Sequence, residues 1–163
     1  MHPATDPNSS FLLNLFMILL FIVPAILFVL TQQNTLKAIR RGNRLLNPGL
    51  VWLQFIPVFG QVWQFIVVSR IAGSAARERL TFQDDSIVGL SHPAAATIGK
   101  RPTLVMGITY CTLEVINLLF LFTTLTDTTQ TIQGVVALAQ MTCWIIYWVQ
   151  LGRLKIQLTH PMP

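Results

Sequence analysis

The sequence predicts an all-α integral membrane protein, a small helical bundle of three spans plus a Pro/Gly-broken re-entrant segment, with four full transmembrane helices as the alternative. Composition predicts the class: 53% of the residues are hydrophobic and only 10% charged, against roughly a quarter charged in soluble proteins. Segment length predicts the spans. Residues 11–30, 50–71, 103–125 and 132–151 are mostly apolar, each about 20 residues long, enough to cross a hydrocarbon core of about 30 Å. The placement of basic residues then decides how the second segment is read. Residues 1–163 form a single membrane domain, because the longest gap, 72–102, is too short and too poor in large apolar residues to build a core of its own.

The first segment, 11–30, follows MHPATDPNSS, which carries no Lys or Arg and leads to no small-residue cleavage site. A cleaved signal peptide needs both, so the segment is expected to be a true span with the N-terminus outside. Pro24 is expected to kink it, which membrane helices tolerate because neighbours satisfy the freed carbonyl.

A basic cytoplasmic helix is expected at 35–46. Continued helically, Lys37, Arg40, Arg41 and Arg44 share one face at i, i+3, i+4 and i+7. Four like charges at that spacing repel unless counter-charge is supplied, and phosphate headgroups supply it at about 1 kcal/mol per basic side chain. Arg70 and Arg77 join them as candidate contacts for anionic lipid or an acidic partner. Solvated cations that merely set orientation explain the same pattern.

Pro57 and Gly60 are the expected structural break in 50–71. As one helix the segment is about 33 Å long and crosses; broken, its legs reach only part-way. If it crosses, the basic residues divide seven (Arg70, Arg77, Arg79, Lys100, Arg101, Arg153, Lys155) to four (Lys37, Arg40, Arg41, Arg44). If it turns back, all 11 fall on one side. The positive-inside bias favours the second arrangement, with the C-terminus cytoplasmic. If the stretch is helical, Gln54, Gln61 and Gln64 lie along one side, expected to face the bundle with their amides tied to neighbouring backbone rather than lining a transport path.

The stretch SRIAGSAARERLTF is expected to continue the second leg as a helix, and the remainder of 72–102 to form a cytoplasmic loop. Asp84, Asp85 and His92 lack metal-site spacing, so no metal is expected.

The last two spans are expected to be an antiparallel hairpin closed by the turn TDTTQT. Gly107, Tyr110, Glu114, Asn117 and Thr124 form one stripe of the third; Gln133, Ala137, Gln140, Trp144 and Tyr147 one stripe of the fourth. Counting out from the turn pairs Asn117 with Gln140, and sets Glu114 level with Cys143 and next to Trp144. An ionised side chain near the midplane costs about 2.5 kcal/mol or more, and marks a site by default. Glu114 is therefore expected as a neutral acid donating one interhelical hydrogen bond, as part of a proton or ion relay, or as a contact with a partner protein or cofactor.

The string NPGLVWLQFIPVFGQVWQF and the later CWIIYWV resemble a family of small bacterial four-segment membrane proteins sharing N-P-G-x-V-W-L-x-x-I-P-x-F-x-x-V-W and an aromatic last segment. The resemblance covers most of the chain after the first span. It implies a bacterial inner-membrane location and brings no activity with it.

Function is narrowed mainly by exclusion. HExxH, GxSxG, Walker A and paired catalytic carboxylates are absent from the sequence, so no catalytic residue, enzyme activity or cofactor is expected. Both cysteines, Cys111 and Cys143, lie within spans, which gives neither a disulfide framework nor a redox motif. The net charge of +5 has its explanation in membrane orientation, and no nucleic acid is expected as a partner. The expected partners are the phospholipid bilayer and a larger membrane complex or a homo-oligomer. The leading expectation is a non-enzymatic scaffold or accessory subunit with a basic lipid-facing surface; the alternative is a small ion-coupled transporter or channel component using Glu114.

Overall fold

The computed structural model describes residues 7–86, 101, 103–120, 122 and 127–159, and these are helical without strands. Helix α1 runs Pro7–Ala38, α2 Phe59–Ser86, α3 Leu104–Phe120 and α4 Asp127–Thr159, with 3₁₀ segments at Arg41–Asn43 and Pro48–Phe55 between α1 and α2. Helices α1 and α4 are long and apolar enough to cross a membrane; α3 is apolar but has 17 residues.

Side-chain bonds fix the relative directions. Trp148 Nε1 donates to Thr31 Oγ1 at 2.9 Å and Thr35 Oγ1 to the Leu151 carbonyl at 3.5 Å, so α1 and α4 run parallel. Gly107 packs on Val68 and Tyr147, whereas further along α3 Glu114 meets Gln61 and Asn117 meets Gln140. Helix α3 is thus antiparallel to both α2 and α4. The C-terminal ends of α1, α2 and α4 gather at one end, where Arg79 Nη2 donates to Gln157 Oε1 at 2.7 Å. The best-packed core lies toward that end, with Leu36, Ile39, Val67, Val68, Ile71, Tyr147 and Leu151 fully buried. At the other end, α1 residues 11–23 are exposed all round.

The expected basic helix at 35–46 does not form. Helix α1 stops at Ala38, Arg40 is extended at φ −56° and ψ 140°, and Arg41–Asn43 makes a single 3₁₀ turn. The cause is local. Arg44 folds back so that Nε donates to the Ile39 carbonyl and Nη2 to the Lys37 carbonyl, both at 2.7 Å, satisfying acceptors that a terminating helix leaves free. Leu36, Ile39 and Leu46 are buried in the core, which holds the chain to this path.

Residues 50–71 are not one helix either. Asn47 Oδ1 accepts from the Gly49 N–H at 3.1 Å and Pro48 opens the 3₁₀ leg, a favourable start because proline needs no N–H partner there. The leg ends at Phe55, Ile56 is extended, and Val58 takes φ 63°, a left-handed conformation that is strained for a β-branched residue. Phe59 N–H donates to the Pro57 carbonyl and Gly60 N–H to the Ile56 carbonyl, each at 2.7 Å. The chain thereby doubles back, and Trp63 Nε1 donates across to the Leu50 carbonyl at 2.8 Å. Gly60 sits where the two legs touch, since a Cβ there would collide with the Gln54 carbonyl.

Two boundaries also shift. Helix α2 runs through SRIAGSAARERLTF as expected and continues to Ser86, so 83–86 of the expected loop is helical as well; the rest of that loop, with His92, lies outside the described residues except Arg101. The turn TDTTQT does not survive as a loop, because α4 already begins at Asp127; Asp and Thr are favoured at helix starts.

Candidate functional site

The doubled-back segment is tied to the bundle by two polar clusters, one at each end of its path. At the basic end Glu78, 1% exposed on α2, accepts from the Arg40 N–H at 3.3 Å and from Asn43 Nδ2 at 2.6 Å, and pairs with the Arg40 guanidinium at 3.4 Å. Asn43 Nδ2 also reaches Thr81 Oγ1 at 3.0 Å. Leu45 N–H donates to the buried Ser74 hydroxyl at 2.9 Å, and the Leu45 side chain fills the space beside Gly73. These bonds pin the connection after α1 along α2.

At the turning end Gln54 Nε2 donates to Gln32 Oε1 at 2.6 Å and to the Val51 carbonyl at 2.8 Å. Gln32 lies six residues (38 − 32) before the end of α1, about 9 Å along the helix. Beyond the turn, a cleft of about 700 Å³ opens between α1, the hairpin, α3 and α4. Its walls are apolar or aromatic, including Leu20, Phe21, Phe28, Phe55, Met141 and Trp144. Gln54, Gln61, Gln64, Tyr110, Glu114 and Gln140 supply its polar lining.

Glu114 is the centre of that lining. Gln61 Nε2 and Gln64 Nε2 both donate to its Oε1, at 3.2 and 3.4 Å, and the Tyr110 phenol lies beside the same carboxyl. Glu114 Oε2, Gln61 Oε1 and Gln64 Oε1 are buried without a hydrogen-bond partner, a costly arrangement in a low-dielectric setting. The sequence count set Glu114 beside Cys143 and Trp144, but its bonded partners come from α2. Trp144 shares the cleft and packs on Phe28 and Trp148 at centroid distances of 5.6 and 5.1 Å. Asn117 donates to Gln140, joining α3 to α4 as the count from the turn expects.

The cleft does not continue through the bundle. Val67, Val68, Ile71 and Tyr147, packed toward the basic end, have no exposed surface. Among the described residues, no three His, Cys, Asp or Glu side chains gather as metal ligands. Cys111 is buried, Cys143 is half-buried, and both are free.

No known family model, curated protein or solved structure matches the chain.

The six candidate lipid-contacting cations divide into two kinds. Arg40 and Arg44 are bound to Glu78 and to helix-end carbonyls. Lys37, Arg41, Arg70 and Arg77 are exposed. Glu78 was not legible as the residue that organises this end: in sequence it is one acid between two arginines, and only the returning chain gives it a partner.

Proposed function

We propose that the chain is a bacterial inner-membrane protein of three spans, α1, α3 and α4, with a re-entrant hairpin between α1 and α3, and that it acts as a non-catalytic accessory or scaffold component. The hydrogen bond from Asn43 to Thr81 at 3.0 Å carries the topological part. A second segment that crossed the bilayer would separate those residues by roughly 30 Å. The positive-inside bias supports the same arrangement, since turning back puts all 11 basic residues on one side. The resemblance to small bacterial four-segment proteins supports the location.

The scaffold role is supported by a basic rim around a packed end, with Lys37, Arg41, Arg70 and Arg77 exposed and free to meet phosphate headgroups. The test is the phospholipid kept by the full chain after purification in mild detergent. Enrichment of phosphatidylglycerol over phosphatidylethanolamine is expected, together with its loss when these four residues are replaced by glutamine. Equal retention by both proteins contradicts the role.

A second reading, a component of ion-coupled transport, is favoured by Glu114 at the head of a half-depth cleft. The filled core beyond it speaks for binding rather than open conduction. Reconstituted vesicles test this: a pH-dependent ion flux abolished by Glu114→Gln supports it, and no flux in either protein contradicts it.

A further inference from the structure

The geometry points to a binding site for a lipophilic primary amine, with the ammonium group held by Glu114, Gln61 and Gln64 and the hydrocarbon tail lying in the cleft between α1, the hairpin and α4. The inference rests on the reading of the cleft as embedded in the bilayer.

Around the Glu114 carboxyl some acceptors stay open even with the Tyr110 hydroxyl beside it. Three acceptors, Glu114 Oε2, Gln61 Oε1 and Gln64 Oε1, are buried without a partner, and they belong to groups already joined through Glu114 Oε1. Gln64 is only 8% exposed and lines the cleft. Rearranging the three groups among themselves does not satisfy them. Turning either amide over removes its N–H from Glu114 Oε1 and sets an amide oxygen against the carboxyl. A proton on Glu114 Oε2 can satisfy one amide oxygen and leaves the other open.

A primary ammonium carries three N–H donors and a positive charge, matching three acceptors of which one belongs to a carboxyl group. Charge-assisted bonds of this type are about twice as strong as neutral ones. Aromatic neighbours suit a cation too: Tyr110, Phe28 and Trp144 border the same space, and ring faces attract ammonium groups. The cleft as a whole, about 700 Å³ with Leu20, Phe21, Phe55 and Met141 on its walls, has apolar room for an alkyl chain. Gln140 is bonded to Asn117, so the cleft's polar demand is concentrated at the Glu114 end.

The test is titration of the full chain in nanodiscs with dodecylammonium, dodecyltrimethylammonium and dodecanol, followed by tryptophan fluorescence, since Trp144 lines the site. Saturable binding of dodecylammonium is expected, about tenfold tighter than that of the trimethyl compound, which has the charge without N–H donors. Glu114→Gln, and separately Gln64→Met, are expected to weaken dodecylammonium about tenfold while thermal unfolding stays cooperative. Equal affinity for the three probes, or unchanged affinity in both variants, overturns the proposal. Cysteine labelling of Gly42→Cys and Leu80→Cys in intact cells separates the two ideas: same-side labelling without amine binding overturns the amine site alone, whereas opposite-side labelling overturns the embedded cleft on which it rests.

Discussion

Trp63 donates its indole N–H to the backbone carbonyl of Leu50 at 2.8 Å, and this bond closes the hairpin that sets the chain's direction. Its ring also stacks on Phe59 at 5.4 Å. Trp63→Phe keeps a ring and removes the donor, so it is expected to cost about 1 kcal/mol. Gly60→Val forces a side chain into the Gln54 carbonyl and is expected to cost about 3 kcal/mol or more. Thermal unfolding in detergent measures both; a Gly60→Val protein as stable as wild type contradicts the tight contact between the legs.

Glu78 holds three separate donors from the returning chain, the Arg40 N–H, the Arg40 guanidinium and the Asn43 amide. Arg40 is about half exposed, which lowers the worth of the ion pair through solvent screening. The part-buried amide bonds to the Glu78 carboxyl are screened less. Glu78→Ala is expected to destabilise by about 2 kcal/mol, and to speed proteolysis between Ala38 and Leu45. Arg40→Ala is expected to cost less than half as much. Equal losses in the two variants would mean that the ion pair, rather than the backbone clasp, dominates.

Gly107 lies where α2, α3 and α4 meet, and a Cβ on it would overlap Val68 and approach Tyr147 Cε2 to 2.9 Å. Both neighbours are fully buried and cannot swing away. Gly107→Leu is therefore expected to destabilise by about 3 kcal/mol, whereas Gly134→Leu, at a glycine with open space around it, is expected to fall within about 0.5 kcal/mol of wild type. Paired melting curves check the contrast.

The parts of this fold legible in the sequence are those governed by local rules. Pro57 and Gly60 mark the break, because proline and glycine interrupt regular backbone wherever they fall. Equal rise per residue from the turn between α3 and α4 pairs Asn117 with Gln140. What the sequence hides depends on chains returning from a distance. Lys37, Arg40, Arg41 and Arg44 have the spacing of a helix face, but Arg44 turns back onto two carbonyls and ends the helix. Glu114 likewise takes partners from outside its own helix; Gln61 and Gln64, which both donate to it, are supplied by the second leg of the hairpin. The three glutamines on an apolar stretch are the available signal, since they need a destination; Gln61 and Gln64 find Glu114, while Gln54 finds Gln32 and the Val51 carbonyl.

The account's central claim is that the connection after α1 and the far part of α2 share one side of the membrane. The direct measurement is labelling of Gly42→Cys, Leu80→Cys and Thr128→Cys in intact cells with a membrane-impermeant thiol reagent, in a background with Cys111 and Cys143 replaced by alanine. All three positions are exposed in the structure. The account predicts that Thr128→Cys is modified from outside, while Gly42→Cys and Leu80→Cys react only after the membrane is opened. Labelling of Gly42→Cys and Leu80→Cys from opposite sides would contradict it.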